Sequence, residues 1–143
     1  YYHWFFLIQP TPLPERMIGA DPEFYLRSKG AHWGRTEGAF TEAAFADYLR
    51  CFCQPETIHA MCEDYRAAAT IDLQHDAEDA GKKLTMPLLT LWGTSGFVGS
   101  AYDVLAEWRA VAHDVSGHAV PGGHYLPEEA PQETLASLQD FFR

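Results

Sequence analysis

The stretch Leu88-Leu89-Thr90-Leu91-Trp92-Gly93 decides the fold class that we predict for this chain. A short, uniformly apolar run closed by a glycine is typical of a strand buried on both faces of a parallel sheet. A loop over residues 94–100, a helix, a weak strand at residues 118–120 and a final helix follow it. This order predicts an α/β fold with a parallel sheet covered by helices. Two adjacent parallel strands do not form a stable sheet alone, so we expect further strands upstream of Tyr1.

Residues 1–83 differ from the rest because they predict mainly helices. Asp21-Pro22 is typical of a helix start, and this helix should end near Gly30. Thr41 caps a second helix, and a third begins after Pro55 and continues into an acidic stretch that we expect to be solvated. The prolines of residues 9–14 predict an extended connector, since each disfavours helix in the residue before it. The predicted apolar helix faces are Ala44, Phe45, Tyr48, Leu49 and Phe52; Ile58, Met61, Tyr65 and Ala69; Val104, Leu105, Trp108, Val111 and Ala112; and Leu135, Leu138, Phe141 and Phe142.

Charge and composition exclude several classes of protein. The chain has 143 residues, with 10 basic and 20 acidic side chains and a formal charge of −10, so it lacks the basic stripe that binds nucleic acid. A hydrophobic content of 47% with 14% aromatic residues excludes a disordered tail. The longest apolar runs are far too short to span a membrane.

Three cysteines, Cys51, Cys53 and Cys62, lie close together in the sequence without forming a CxxC pair. Their odd number argues against a disulfide framework and favours a reducing compartment, so we predict a cytoplasmic protein. Together with His59 they could suggest zinc, but on a helix Cys51 and Cys53 would point about 200° apart. We therefore expect no metal site and interpret the cysteines as buried small apolar side chains.

A histidine near the C-terminus is the strongest candidate for a catalytic residue. His124 stands in the stretch GGHYLPEEAP, residues 122–131, between the weak strand and the last helix. An imidazole can accept a proton from water near neutral pH, and a loop held between a strand and a helix can aim it. The glycine pair permits a tight turn, and Pro131 suits the first position of a helix. The alternative interpretation is that His124 has no catalytic role and is a helix-capping or solvent-facing residue.

Three motifs resemble a known enzyme family: YHWFF at residues 2–6, MCEDYRA at residues 61–67 and GHYLPEEAP at residues 123–131. The chain resembles the second half of an α/β-hydrolase with its cap domain, and it is most similar to the haloacetate dehalogenases, including those that hydrolyse fluoroacetate. The last motif is generic to α/β-hydrolases, whereas the first two together are more specific. The resemblance implies that residues 1–83 are the helical cap domain with the segment leading into it. Residues 84–143 would then be the C-terminal part of the core, with its last two parallel strands and helices.

The resemblance also implies a mechanism and a set of site residues. In that family an aspartate attacks the carbon that bears the halogen, and a histidine activates water to hydrolyse the resulting ester. His124 matches that histidine, while His3, Trp4 and Tyr65 match the residues that donate hydrogen bonds to the leaving halide. The implied partners are a haloacid substrate and water, without metal or organic cofactor, in a homodimer. The nucleophile, its acid partner and the arginines that bind the substrate carboxylate would lie upstream of Tyr1.

Other interpretations stay open. The loop at residues 94–99 has no carboxylate where many α/β-hydrolases carry their triad acid, and this fits dehalogenases whose acid follows an earlier strand. An epoxide hydrolase or an esterase could share the histidine loop, and a chain without its nucleophile could be a non-catalytic fragment or an interaction module. His3 and Trp4 could be core residues of an aromatic run, and Tyr65 is packed on an apolar helix face in either case.

Overall fold

The computed structural model describes residues 2–143 and, for residues 31–33, the backbone alone. The chain divides into two compact units. The first comprises the chain up to Lys29 together with Glu42–Ala80, and the second comprises Gly30–Thr41 and Gly81–Arg143. Residues 30–41 therefore belong with the second unit, whereas the sequence pattern grouped all of residues 1–83 in one helical region.

The first unit is built from helices, and its core is formed by apolar side chains of α1, α2, α4 and α5. The elements of this part of the chain are α1 Tyr2–Leu7, α2 Leu13–Ala20, α3 Pro22–Trp33, α4 Glu42–Phe52, α5 Pro55–Ala68 and α6 Ile71–Glu78. Five buried residues form one cluster: Leu7, Ile18, Phe52, Ile58 and Cys62. Met61 and Tyr65 of α5 pack against this cluster and are partly buried, as the predicted face of that helix requires.

The predicted helix starts are confirmed, because the signals that set them are local. The Asp21 Oδ1 atom accepts a hydrogen bond from the Phe24 backbone N–H at 3.0 Å, which caps α3. α4 follows Thr41 directly, and α5 begins at Pro55. The predicted end of α3 near Gly30 is wrong, because Gly30 O accepts a bond from Gly34 N at 3.0 Å and the helix continues to Trp33.

The extended connector predicted for residues 9–14 is also wrong in its second half. α2 begins at Leu13, and Pro14 is buried in its first turn. A proline is tolerated there because the first N–H groups of a helix have no intrahelical acceptor. The acidic stretch after α5 forms a helix of its own, α6, which has no buried residue, so the prediction of a solvated face is confirmed.

Arg66 ties α5 to α2 and to the loop that precedes α2. Its Nε and Nη2 atoms donate to the Gln9 carbonyl oxygen at 2.9 and 2.7 Å. Its Nη1 atom donates to Glu15 Oε1 at 2.8 Å and to Glu63 Oε1 at 2.5 Å. The hydrogen bond from Arg66, acting against the opposite effect of burial, lowers the pKa of the Glu15 carboxyl to about 2. This partly buried cluster therefore contributes stability only while Glu15 is ionised.

We expect Glu15→Gln to lower the stability of the protein at neutral pH and to flatten its acid dependence. The pKa of Glu15 is depressed in the folded state, so its contribution is present above the ordinary value of 4.5 and is lost as the pH falls towards about 2. Urea denaturation between pH 7 and pH 3 measures this directly. The matched control is Asp47→Asn, which removes a carboxylate paired with Arg50 on the surface and should change little. An unchanged acid dependence in Glu15→Gln would contradict the assignment.

The cysteines are only partly as predicted. Cys62 is fully buried in the core of the first unit, whereas Cys51 and Cys53 are exposed, so the interpretation of all three as buried is wrong. Cys51 and Cys53 stand on either side of the buried Phe52 at the end of α4, and the helical turn directs them away from the face that packs. All three are free thiols. Burial, and next the negative charge of Glu15, raise the pKa of the Cys62 thiol.

Thiol alkylation should therefore occur in two phases. Cys51 and Cys53 are expected to react rapidly with iodoacetamide in the native protein, and Cys62 only when the first unit opens, because the thiolate is the reactive form and burial disfavours it. Intact-protein mass spectrometry over time counts the adducts. Cys51→Ser serves as the control and should remove one fast adduct. Three adducts appearing at one rate would show that Cys62 is accessible.

The second unit contains a parallel pair of strands with helices packed on it, which confirms the α/β fold class. β1 Leu88–Gly93 pairs with β2 Val115–Val120, so that Leu88 lies opposite Val115 and Gly93 opposite Val120. β2 is longer than the predicted strand at residues 118–120, because pairing with β1 recruits a segment whose own side chains give a weak strand signal. The helices of this unit are α7 Phe97–Ala101, α8 Val104–Val111, α9 Leu126–Glu129 and α10 Pro131–Phe141.

Two short helices and one exposed helix face differ from the sequence prediction. α7 occupies much of the predicted loop at residues 94–100, and α9 lies in the predicted histidine loop. α8 begins after Asp103, whose side chain accepts from Ala106 N at 3.1 Å. The predicted apolar face of α10 is largely exposed, with Leu138 at 40% and Phe142 at 78%. In residues 2–143, as far as they are described, no helix has the length and apolar character needed to cross a membrane.

Candidate active site

The carboxyl ends of the two parallel strands lie side by side and position the loop that carries His124. Thr94 N donates to Val120 O at 2.9 Å, and Ser95 N donates to Gly122 O at 2.9 Å. A β-carbon at Gly93 would overlap the Gly123 carbonyl, so the two segments can approach only because residue 93 is a glycine. Gly122 has a φ of +134°, which a residue with a side chain rarely adopts. The sequence thus turns the chain sharply just before the histidine.

His124 lies on the predicted loop, between β2 and α9. Its side chain is exposed, while the preceding Gly123 is buried. The imidazole ring meets the Tyr125 ring edge to face, with the ring centroids 5.2 Å apart. Tyr125 in turn contacts the Phe40 ring at 5.1 Å. Residues 122–125 are therefore held by backbone and ring contacts within the second unit, and the imidazole is accessible to a small molecule.

Glu129 is a residue of this site that the sequence analysis did not single out. Its Oε2 atom accepts hydrogen bonds from the backbone N–H groups of Arg35 at 2.7 Å, Thr36 at 3.0 Å and Gly123 at 2.9 Å. Its Oε1 atom accepts from Tyr125 N at 2.9 Å. The only signal in the sequence is a carboxylate within the histidine motif itself, since the partners at residues 35 and 36 lie more than ninety positions away.

The charge of Glu129 is stabilised by these N–H groups. Burial by itself would raise the pKa of the Glu129 carboxyl, but the hydrogen bonds from Tyr125, Arg35 and Gly123 outweigh it and hold the pKa below its usual value. The carboxylate is therefore ionised near neutral pH. Hydrogen bonds to an ionised acceptor are shorter and stronger than those to a neutral one.

In the first unit, the structure brings together the three residues predicted to bind a halide. His3 and Trp4 stand on α1 and Tyr65 on α5. The Tyr65 ring lies 4.9 Å from the Trp4 ring and 5.8 Å from the His3 ring, edge to face in both cases. His3 is 6% exposed and Trp4 is 43% exposed. His3 thus lies on the buried side of this cluster and Trp4 on its exposed side.

The chemistry of this cluster is that of hydrogen-bond donation. An indole N–H can only donate, a phenol O–H can donate, and an imidazole can present one N–H. Burial, and next the negative charge of Asp64, raise the pKa of the Tyr65 hydroxyl, so it stays protonated. Aromatic packing and donation by the polar edges of the rings are compatible, because the rings meet edge to face.

One group of side chains in the described part of the chain has the spacing of metal ligands. Ligand atoms of Glu15, His59 and Glu63 lie within 4.8 Å of one another. Arg66 Nη1 donates to both carboxylates, and His59 Nδ1 lies 3.2 Å from Glu15 Oε1. The guanidinium thus supplies the positive charge that a metal ion would bring, and the group is an ion-pair cluster that joins α2 to α5. Cys62, which the sequence analysis considered and rejected as a zinc ligand together with His59, lies in the core of the first unit.

Two curated proteins with similar sequences are named as hydrolases. No protein-family model matches the chain. A fluoroacetate dehalogenase from a Burkholderia species is 34% identical over 142 residues, which are 99% of this chain and 47% of that protein. A soluble epoxide hydrolase from Corynebacterium sp. strain C12 is 33% identical over 129 residues, which are 88% of this chain and 43% of that protein. The chain spans a little under half the length of these curated relatives.

Two solved structures are similar to the chain at higher identity. A protein from Nostoc sp PCC 7120, provisionally named an alpha/beta hydrolase, is 58% identical with a TM-score of 0.95, covering 99% of this chain and 49% of that chain. A protein from Pseudomonas aeruginosa, provisionally named an epoxide hydrolase, is 40% identical with a TM-score of 0.89, covering 98% of this chain and 47% of that chain. By sequence and by structure, the chain belongs to the α/β-hydrolase superfamily and carries part of its fold.

Proposed function

We propose that this chain is part of a hydrolytic dehalogenase that converts a haloacetate, fluoroacetate among them, to glycolate and halide. The observation that carries the proposal is the contact of Tyr65 with His3 and Trp4, which gathers three donor-bearing rings on two helices. A leaving fluoride is small and strongly hydrated, so it needs several donors aimed at the point where its charge develops. The similarity to a fluoroacetate dehalogenase supports the same reaction.

The proposed reaction has two steps and uses no metal or organic cofactor. A carboxylate oxygen of an aspartate outside this chain attacks the carbon that bears the halogen, and the carbon–halogen bond breaks with its electron pair leaving as halide. His124 then takes a proton from water, whose oxygen attacks the carbonyl of the aspartyl ester. The ester C–O bond to glycolate then breaks, His124 returns the proton to the glycolate oxygen, and the aspartic acid that forms releases its proton to water. The substrates are a small haloacid and water.

An epoxide hydrolase is the second candidate, because a soluble epoxide hydrolase is about as similar to the chain as the dehalogenase is. The same histidine could hydrolyse the ester formed when a carboxylate opens an epoxide. The same donors could then bind the oxygen that becomes an alkoxide. The two reactions differ in the first step only, so the substrate that forms the ester distinguishes them.

In the full-length protein, we expect His124→Asn to leave ester formation intact and to block ester hydrolysis. Asparagine keeps a polar side chain of similar size but cannot accept the proton from water. Intact-protein mass spectrometry after exposure to chloroacetate or fluoroacetate should show a stable adduct that the unmodified protein does not accumulate. An adduct formed from an epoxide and not from either haloacid would establish the second candidate. Normal turnover by the variant would show that His124 is not the base that activates water.

We expect Tyr65→Phe to reduce activity on fluoroacetate by roughly a hundredfold or more, the usual loss for one donor to a developing anion. Activity on bromoacetate should fall less, because bromide leaves more readily. The substitution keeps the ring and its contacts with Trp4 and His3, so the melting temperature should change little.

The matched control for the tyrosine experiment is Tyr25→Phe, the same chemical change at a ring that packs against the same core and stacks on Phe52. It should leave the ratio of the two activities unchanged. Equal losses of Tyr65→Phe on both haloacids, together with a lowered melting temperature, would make Tyr65 a core residue only.

A further inference from the structure

The histidine loop is held by one partly buried side chain, that of Glu129. The two residues on either side of His124 both donate their backbone N–H to the Glu129 carboxylate, Gly123 to Oε2 and Tyr125 to Oε1. The same Oε2 atom accepts from Arg35 and Thr36, in the segment that follows α3. The carboxylate thus joins both flanks of His124 to a third stretch of backbone within the second unit.

We propose that Glu129 is the positioning residue for His124, fixing the backbone of the loop so that the imidazole is aimed at the water it activates. The inference rests on the proposed function, in which His124 is the base for ester hydrolysis. A catalytic group has to be held within about 0.5 Å of its productive position, and the glycines that precede His124 give this loop little stiffness of its own. Four hydrogen bonds to one carboxylate supply that stiffness.

A carboxylate suits this position better than its neutral analogue does. Four N–H donors surround the two oxygens, and an ionised carboxylate has acceptor sites for all of them. A glutamine has one acceptor oxygen and one NH2 group, so in either orientation the NH2 group would face at least one N–H that donates now. One flank of His124 would then lose its acceptor at a partly buried N–H group, which costs more than losing an exposed hydrogen bond.

The experiment compares Glu129→Gln with Glu133→Gln in the full-length protein. Glu133 is exposed at the start of α10, so its substitution removes the same charge without touching the loop. We expect amide hydrogen exchange at Gly123, Tyr125, Arg35 and Thr36 to become faster in Glu129→Gln alone. With chloroacetate as substrate, ester hydrolysis should fall about a hundredfold, the cost of a base displaced by roughly 1 Å, while ester formation stays near the unmodified rate. The covalent adduct should therefore accumulate.

Two outcomes would overturn the inference. Unchanged exchange at the four amides would show that the carboxylate does not hold the loop. Equal losses in ester formation and ester hydrolysis, with a lowered melting temperature, would show that Glu129 only stabilises the fold. The proposed function could fail separately, if no haloacid reacts with the unmodified protein. Faster amide exchange in Glu129→Gln would then still show that Glu129 fixes the backbone of the loop.

Discussion

The close approach of the two strand ends is the constraint on which the placement of His124 depends. β1 ends at Gly93 and β2 at Val120, and the parallel pairing puts these ends at one edge of the sheet. The chain after β2 can then pass directly over Gly93, where Gly123 occupies the space of a missing β-carbon. A one-residue slip in register would replace Gly93 at this point by Trp92 or Thr94 and would close the passage. The histidine loop is thus a consequence of strand register as well as of its own glycines.

The backbone of a tight loop must still satisfy its polar groups, and this need explains the role of Glu129. The partly buried N–H groups at Gly123 and Tyr125 are not part of a strand or helix ladder, so they require an acceptor from elsewhere. Glu129 stands on α9, close enough in sequence to reach back to both. The Glu129 carboxylate also accepts from the backbone N–H groups of Arg35 and Thr36. The same side chain thus satisfies the N–H groups of the loop and links the loop to a segment of the second unit that is distant in sequence.

The structural features that the sequence predicted are those set by local signals. The run at Leu88, the cap at Asp21 and the prolines at Pro55 and Pro131 each act within a few residues, and the elements begin where these signals place them. Two features that the sequence analysis missed have non-local causes. The predicted β2 is too short because its pairing with β1 decides its length, and two partners of Glu129, the N–H groups of Arg35 and Thr36, become neighbours only after folding. The contacts among His3, Trp4 and Tyr65 were inferred from resemblance, since no local pattern joins α1 to α5.

The protonation of Tyr65 bears on the choice between the two proposed reactions. An epoxide oxygen that becomes an alkoxide has to receive a proton, and the group that supplies it works best as a fairly strong acid. A departing halide needs hydrogen bonds but no proton, because it is a stable anion once released. Burial makes the Tyr65 hydroxyl a weaker acid than an ordinary tyrosine, which favours a donor that keeps its proton. The proposed halide role thus requires only a hydrogen bond from this hydroxyl, which a weakly acidic phenol can supply, whereas the epoxide reaction would also require its proton.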